Sequence, residues 1–188
     1  CFTAVIRLTP ALPVDGVVLL EDGEPATAGT VRGFHGLREE TDRYTGNFVR
    51  EAAFPIDSRG RFRIWLAGDR AALLAMVPGC VPAFSAPFAP ANSGGPVVVR
   101  LERGARVEGR ILDPMGRPVA GCRVVASFVA RRAEARFGRN HYLKGWRACT
   151  DEHGRFRIDG LQDFVTLAVT HDDFESASFD VAPAEGDV

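Results

Sequence analysis

The 188-residue sequence predicts an all-β chain made of two tandem β-sandwiches. Three observations carry that expectation. Apolar residues alternate with polar ones in short runs, the runs are separated by Gly, Pro and Asp clusters, and the first half of the chain recurs in the second. Asp57-Ser58-Arg59-Gly60-Arg61-Phe62-Arg63-Ile64 returns 94 positions later as Asp151-Glu152-His153-Gly154-Arg155-Phe156-Arg157-Ile158. Upstream, Val14, Gly16, Leu19, Gly23, Pro25 and Val31 match Val107, Gly109, Leu112, Gly116, Pro118 and Val124 at an offset of 93. One residue of slippage in the intervening loop reconciles the two offsets.

From the amino end, Val5-Ile6-Arg7-Leu8 stands 93 residues before Val98-Val99-Arg100-Leu101, the closing strand of the first repeat. The opening residues therefore read as the last strand of a preceding unit. In the first repeat Phe62, Ile64 and Leu66 alternate with Arg61, Arg63 and Trp65, and Val97, Val99 and Leu101 alternate with Val98 and Arg100. In the second, Phe156 and Ile158 alternate with Arg155 and Arg157, and Leu167 pairs in period with Val169. Asp113-Pro114-Met115-Gly116 and Asp151-Glu152-His153-Gly154 predict four-residue turns, with Asp accepting a backbone N–H at the first position and Gly easing closure at the last. The one helix candidate is Ala130–Arg139, rich in Ala, Arg and Glu.

These features divide the chain at residues 1–103 and 104–188, with residues 1–8 assigned to a preceding repeat. The second repeat reaches Val188 where its own closing strand should begin. The expectation is a piece of a longer array, displaced by one strand; a lipoprotein acylated at Cys1 is the competing reading.

Composition narrows the function. With 23 Lys and Arg against 24 Asp and Glu, the chain lacks the basic excess of a general nucleic-acid binder. No apolar run approaches the roughly 18 to 20 residues that span a bilayer. Lys144 is the only lysine, so a self-formed Lys–Asn isopeptide is excluded in the first unit.

The stretch V-E-G-R-I-L-D-P-M-G-R-P-V-A-G-C-R-V from Val107 to Val124, followed by T-D-E-H-G-R-F-R-I-D-G-L from Thr150 to Leu161, resembles the carboxypeptidase regulatory-like family. The first unit resembles a divergent copy, with Val77-Pro78-Gly79-Cys80 at the family's P-G-aromatic turn and Cys80 in the aromatic place. The resemblance implies seven-stranded Greek-key sandwiches of the transthyretin (prealbumin) type. It also implies non-catalytic modules of exported bacterial proteins, whether periplasmic, cell-surface or secreted. It brings no catalytic residue, cofactor or metal. His35 and Glu39 lie four positions apart, which is not the H-x-x-E spacing of a zinc peptidase.

Four groups of residues are candidates for more than packing. Cys122 and Cys149 could face each other and form a disulfide, or remain two buried thiols. His171-Asp172-Asp173 with Glu175 offers oxygen ligands for calcium, or is a solvated acidic loop. Long insertions follow Val31 and Val124 at the same place in each repeat. In the second, Arg131, Arg132, Arg136 and Arg139 are interleaved downstream with Tyr142 and Trp146. Arginine forks and aromatic faces suit an anionic glycan or an acidic protein surface; pairing with the acidic half of the same domain is the alternative. Three functions follow: a structural spacer or display module contacting proteins and neighbouring domains, a glycan-binding module, or an accessory to a catalytic domain elsewhere.

Overall fold

The computed structural model describes residues 10–40, 43–48, 53–128, 143–161 and 165–181, with the backbone alone for 35–40, 43–48, 128 and 143–145. The described residues form an all-β structure of fourteen strands and one 3-10 turn, Pro90–Asn92. The helix candidate Ala130–Arg139 lies outside them.

The first unit runs through β1 (Leu12–Leu20), β2 (Thr30–Glu40), β3 (Arg43–Phe48), β4 (Phe54–Pro55), β5 (Arg61–Leu66), β6 (Ala71–Met76), β7 (Ala83–Phe84) and β8 (Val97–Leu101). One sheet has the order β5-β1-β8, and the other β3-β2-β6-β7, with β4 beside β2. β1 pairs antiparallel with β5 and parallel with β8, Gly16 standing opposite Val97 and Leu20 opposite Leu101.

The second unit repeats this plan. It comprises β9 (Ala105–Arg110), β10 (Arg123–Phe128), β11 (Leu143–Cys149), β12 (Arg155–Leu161), β13 (Val165–His171) and β14 (Phe174–Val181). Its sheets are β12-β9 and β11-β10-β13-β14, the counterparts of β5-β1 and β3-β2-β6-β7. Among the described residues nothing stands beside β9 as β8 stands beside β1.

The period-2 patterns place apolar residues inward as expected. In β5 the residues Phe62, Ile64 and Leu66 are buried and pack with Val14, Val18, Leu73, Val99 and Leu101. In the second unit Phe156, Ile158 and Leu161 pack with Val107, Val124 and Leu167. Each such side chain removed from water contributes about 1.5–3 kcal/mol, so these alternations decide which face turns inward.

The Asp-to-Gly turns form as the sequence predicts. The Asp151 carboxylate accepts the N–H groups of His153 (2.9 Å) and Arg155 (2.8 Å), and Gly154 takes φ +73°. The N–H groups of Arg155 and His153 hold that carboxyl below its ordinary pKa, and Asp57 and Asp113 are lowered in the same way. Gly109 has a different task. A Cβ there would lie 2.5 Å from the ring of Phe156, its cross-strand neighbour, and Gly16 has the same relation to Phe62. Each aromatic ring covers a glycine because only hydrogen leaves room for it.

Two expectations are corrected. The insertions after Val31 and Val124 do not leave the sheet at once: β2 runs on to Glu40 and pairs with β3, and Trp146 lies within strand β11, not in a loop. Cys122 and Cys149 form no disulfide; both are free thiols. Arg123 stands opposite Cys149, the Thr150 N–H donates to the Cys122 carbonyl, and the Cys122 N–H donates to Thr150 Oγ1. The two cysteines are thus one residue out of step. Cys122 turns into the core and Cys149 to solvent.

Candidate functional site

Arg131, Arg132, Arg136, Arg139 and Tyr142 lie outside the described residues. Trp146 is the member of that group whose environment is described. It is half-buried, packs against the core of the second unit, and its indole N–H donates to the Gly160 carbonyl at 3.0 Å. The rings of His171 and Phe174 meet at a tilt of 58° with centroids 5.3 Å apart, and His171 Nδ1 accepts the Asp173 N–H. Among the described residues no three His, Cys, Asp or Glu side chains lie close enough together to hold a metal ion.

Trp146 leads to a feature that the repeat pattern did not disclose. The apolar cluster containing Val107, Val124, Phe156 and Leu167 also takes in Phe34, Ala72 and Leu74 from the first unit. Strand β6 is therefore buried on both faces. Ala71, Leu73 and Ala75 enter the first core, while Ala72 and Leu74 enter the cluster shared with the second. Phe34 and Phe84 meet edge to face on that same outer surface, with centroids 5.2 Å apart. A signal for this exists in the sequence. Residues 71–77, Ala-Ala-Leu-Leu-Ala-Met-Val, are continuously apolar, as a strand covered on both sides requires. The equivalent β13 alternates with Thr166 and Thr170 and keeps one face in water.

The backbone closes the joint between the units. Residues 102–104 separate β8 from β9, and they are tied to the turn at Gly79–Cys80. The Val81 N–H donates to Glu102 O (2.9 Å), the Gly104 N–H donates to Gly79 O (3.0 Å), and Cys80 bridges Arg103. Gly160 forms a bulge in β12, between Asp159 and Leu161, at φ +83°. Its hydrogen-only side faces the Cys80 backbone, where a Cβ would come within 2.7 Å of the carbonyl oxygen. A side chain on Gly104 would collide with Gly160 in turn. The joint is thus a contact of main chain on main chain, capped by Trp146. Burial there pushes the Cys80 thiol pKa up and keeps it protonated.

Exposed charge near the joint is paired within the sheet. Asp159 accepts from Arg157 (2.9 Å) and Arg106 (2.7 Å), and the Arg157 hydrogen bond, followed by that of Arg106, lowers its pKa. On the first unit Asp15 and Arg63 make a two-pronged pair at 2.6 and 2.9 Å.

At the far edge of the second unit, a cavity of about 330 Å³ opens between the end of β9 and strands β13 and β14. Ile111, Leu112, Val119, Cys122, Val169 and Phe179 contribute to its wall. Leu112 and Phe179, 48% and 56% exposed, leave its mouth apolar.

No protein-family model matches the chain, and no curated protein sequence matches it. Among solved structures, the shaft pilin SpaA of Lactobacillus rhamnosus GG aligns over 94% of this chain and 94% of its own, at 12% identity and a TM-score of 0.35. A streptococcal ancillary pilin aligns over 94% of this chain at 13% identity and a TM-score of 0.33, and this chain spans 60% of its length. A putative adhesin from Bacteroides ovatus aligns over 97% of this chain and 88% of its own, at 9% identity and a TM-score of 0.28. Scores at this level establish no common fold, and identities at this level no common function.

Proposed function

We propose that the chain is a non-catalytic spacer and display module: two Greek-key units of the carboxypeptidase regulatory-like kind, held at a fixed angle. The observation that carries this reading is the joint. Phe34, Ala72 and Leu74 share a core with the second unit, and Gly104 and Gly160 bring the two backbones into contact. A flexible connector would need a solvated, Gly/Ser-rich linker, whereas residues 102–104 are hydrogen-bonded to the turn at residues 79–81. Transmitting a direction along a chain of domains requires this kind of contact. The exported bacterial setting, and the display of loops to protein partners, come with the family resemblance of residues 107–161. Nothing in the described residues favours the glycan reading, and Trp146 is engaged in the joint.

Small-angle X-ray scattering tests the proposal. The chain should scatter as one rigid body, and Gly160→Val should enlarge its radius of gyration while preserving its strand content. A parent profile that requires many inter-unit orientations would overturn it.

A further inference from the structure

β1 and β8 open and close the first unit along the chain, and they lie side by side in parallel. Their register runs from Gly16 opposite Val97 to Leu20 opposite Leu101. Val18 donates its N–H to Gly60 O and accepts the Ala26 N–H, both on the side away from β8. By strand alternation Val17 and Leu19 present their N–H and carbonyl groups to β8. The fit is close, since a Cβ on Gly16 would lie 2.6 Å from the Val97 carbonyl oxygen. On the inner face Val14, Val18, Val99 and Leu101 share the first core, none more than 1% exposed. Among the described strands β8 pairs with β1 alone, so β1 is its hold on the sheet.

A pull along the chain enters this unit at the amino end of β1 and leaves it at the carboxyl end of β8. In a parallel pair these two points lie at opposite ends of the ladder. The strands are therefore drawn past one another, and the bonds between them are loaded together. A pull applied where both strands end would instead load the bonds one after another. Residues 21–96 stay out of the load path until β1 and β8 part. No covalent bond shortens that path. Cys80 is the only cysteine between Leu12 and Leu101 and is a free thiol, and the single lysine, Lys144, lies in the second unit.

We propose that the β1–β8 pair is a mechanical clamp, through which the first unit bears tension between its two ends. Its use rests on the spacer reading, because a spacer is a part through which tension passes. The clamp itself depends on β1 and β8 and not on the joint between the units.

Single-molecule force spectroscopy of the full chain tests this by changing only the direction of pull. Azide-bearing residues that carry the handles replace exposed residues in two pairs. Handles at Ala11 and Arg103 draw β1 and β8 past one another; handles at Glu21 and Arg103 part them from their shared carboxyl end. The second unit lies outside the force path in both, so a loose joint, which would end the rigid-spacer reading, leaves this outcome unchanged. Opening of the first unit frees about 300 Å of extended chain, which identifies the event. At equal loading rate the first pair should yield in one step, at a force several-fold higher than the second. The same contacts resist in both cases, so the difference reports the barrier along each direction. Equal forces, a weaker first pair, or release of residues 21–96 before β1 and β8 part would overturn the proposal.

Discussion

Leu73 and Leu74 are neighbours on β6 with the same side chain and the same complete burial, and they serve different cores. Truncating each to alanine removes equal chemistry from opposite faces of one strand. Large-to-small changes of this type cost about 3–5 kcal/mol where the surroundings cannot collapse. For Leu74→Ala the loss falls on the shared cluster, so the second unit should weaken although the substitution lies in the first. With a urea dependence of about 1.5 kcal/mol/M, a loss of about 3 kcal/mol lowers the midpoint by about 2 M. Trp146 provides the reporter, because it is half-buried against that cluster; the other tryptophan, half-exposed Trp65, is replaced by Phe in all variants. Leu74→Ala should change the native emission of Trp146 and shift its unfolding midpoint. Leu73→Ala should leave the native emission unchanged while destabilising the first unit. An unaltered Trp146 signal and midpoint in Leu74→Ala would refute the idea of a shared core.

Other consequences can be checked with less effort. Gly109→Ala places a methyl group against the Phe156 ring and should destabilise the second unit by about 1–3 kcal/mol, measured by denaturant unfolding. Asp57, Asp113 and Asp151 have folded pKa values below their unfolded ones, so their stabilisation is complete above about pH 4 and is lost as pH falls through the folded values. Thermal melts should therefore show a loss of stability on the acid side of pH 4, and a triple Asp→Asn variant should flatten that limb. Native alkylation followed by residue mapping should label Cys149 and spare Cys80 and Cys122 until the chain unfolds. A disulfide would instead protect Cys122 and Cys149 under both conditions.

The parts of this structure legible in the sequence are the local ones. Alternation at residues 61–66 follows from burial of one sheet face, and Asp151 with Gly154 encodes a turn within four residues. The double burial of β6 is written as an unbroken apolar run, but what covers its outer face lies in the other unit and is not written beside it. Trp146 shows the same difficulty. Among basic residues it suggests a stacking platform for sugars, yet its partner is the carbonyl of Gly160, at a bulge that no local pattern announces. The cysteine pair failed on parity. Its members are close in space, but a one-residue difference in register turns one side chain inward and the other outward, and no local signal specifies register across so long an insertion.

The central claim, that the two units are one rigid body, is tested most directly by residual dipolar couplings of backbone amides in a weakly aligned sample. The fused joint predicts that couplings from residues 12–101 and from residues 105–181 fit one alignment tensor of common magnitude and orientation. Two tensors of different magnitude, each satisfying one unit alone, would contradict it.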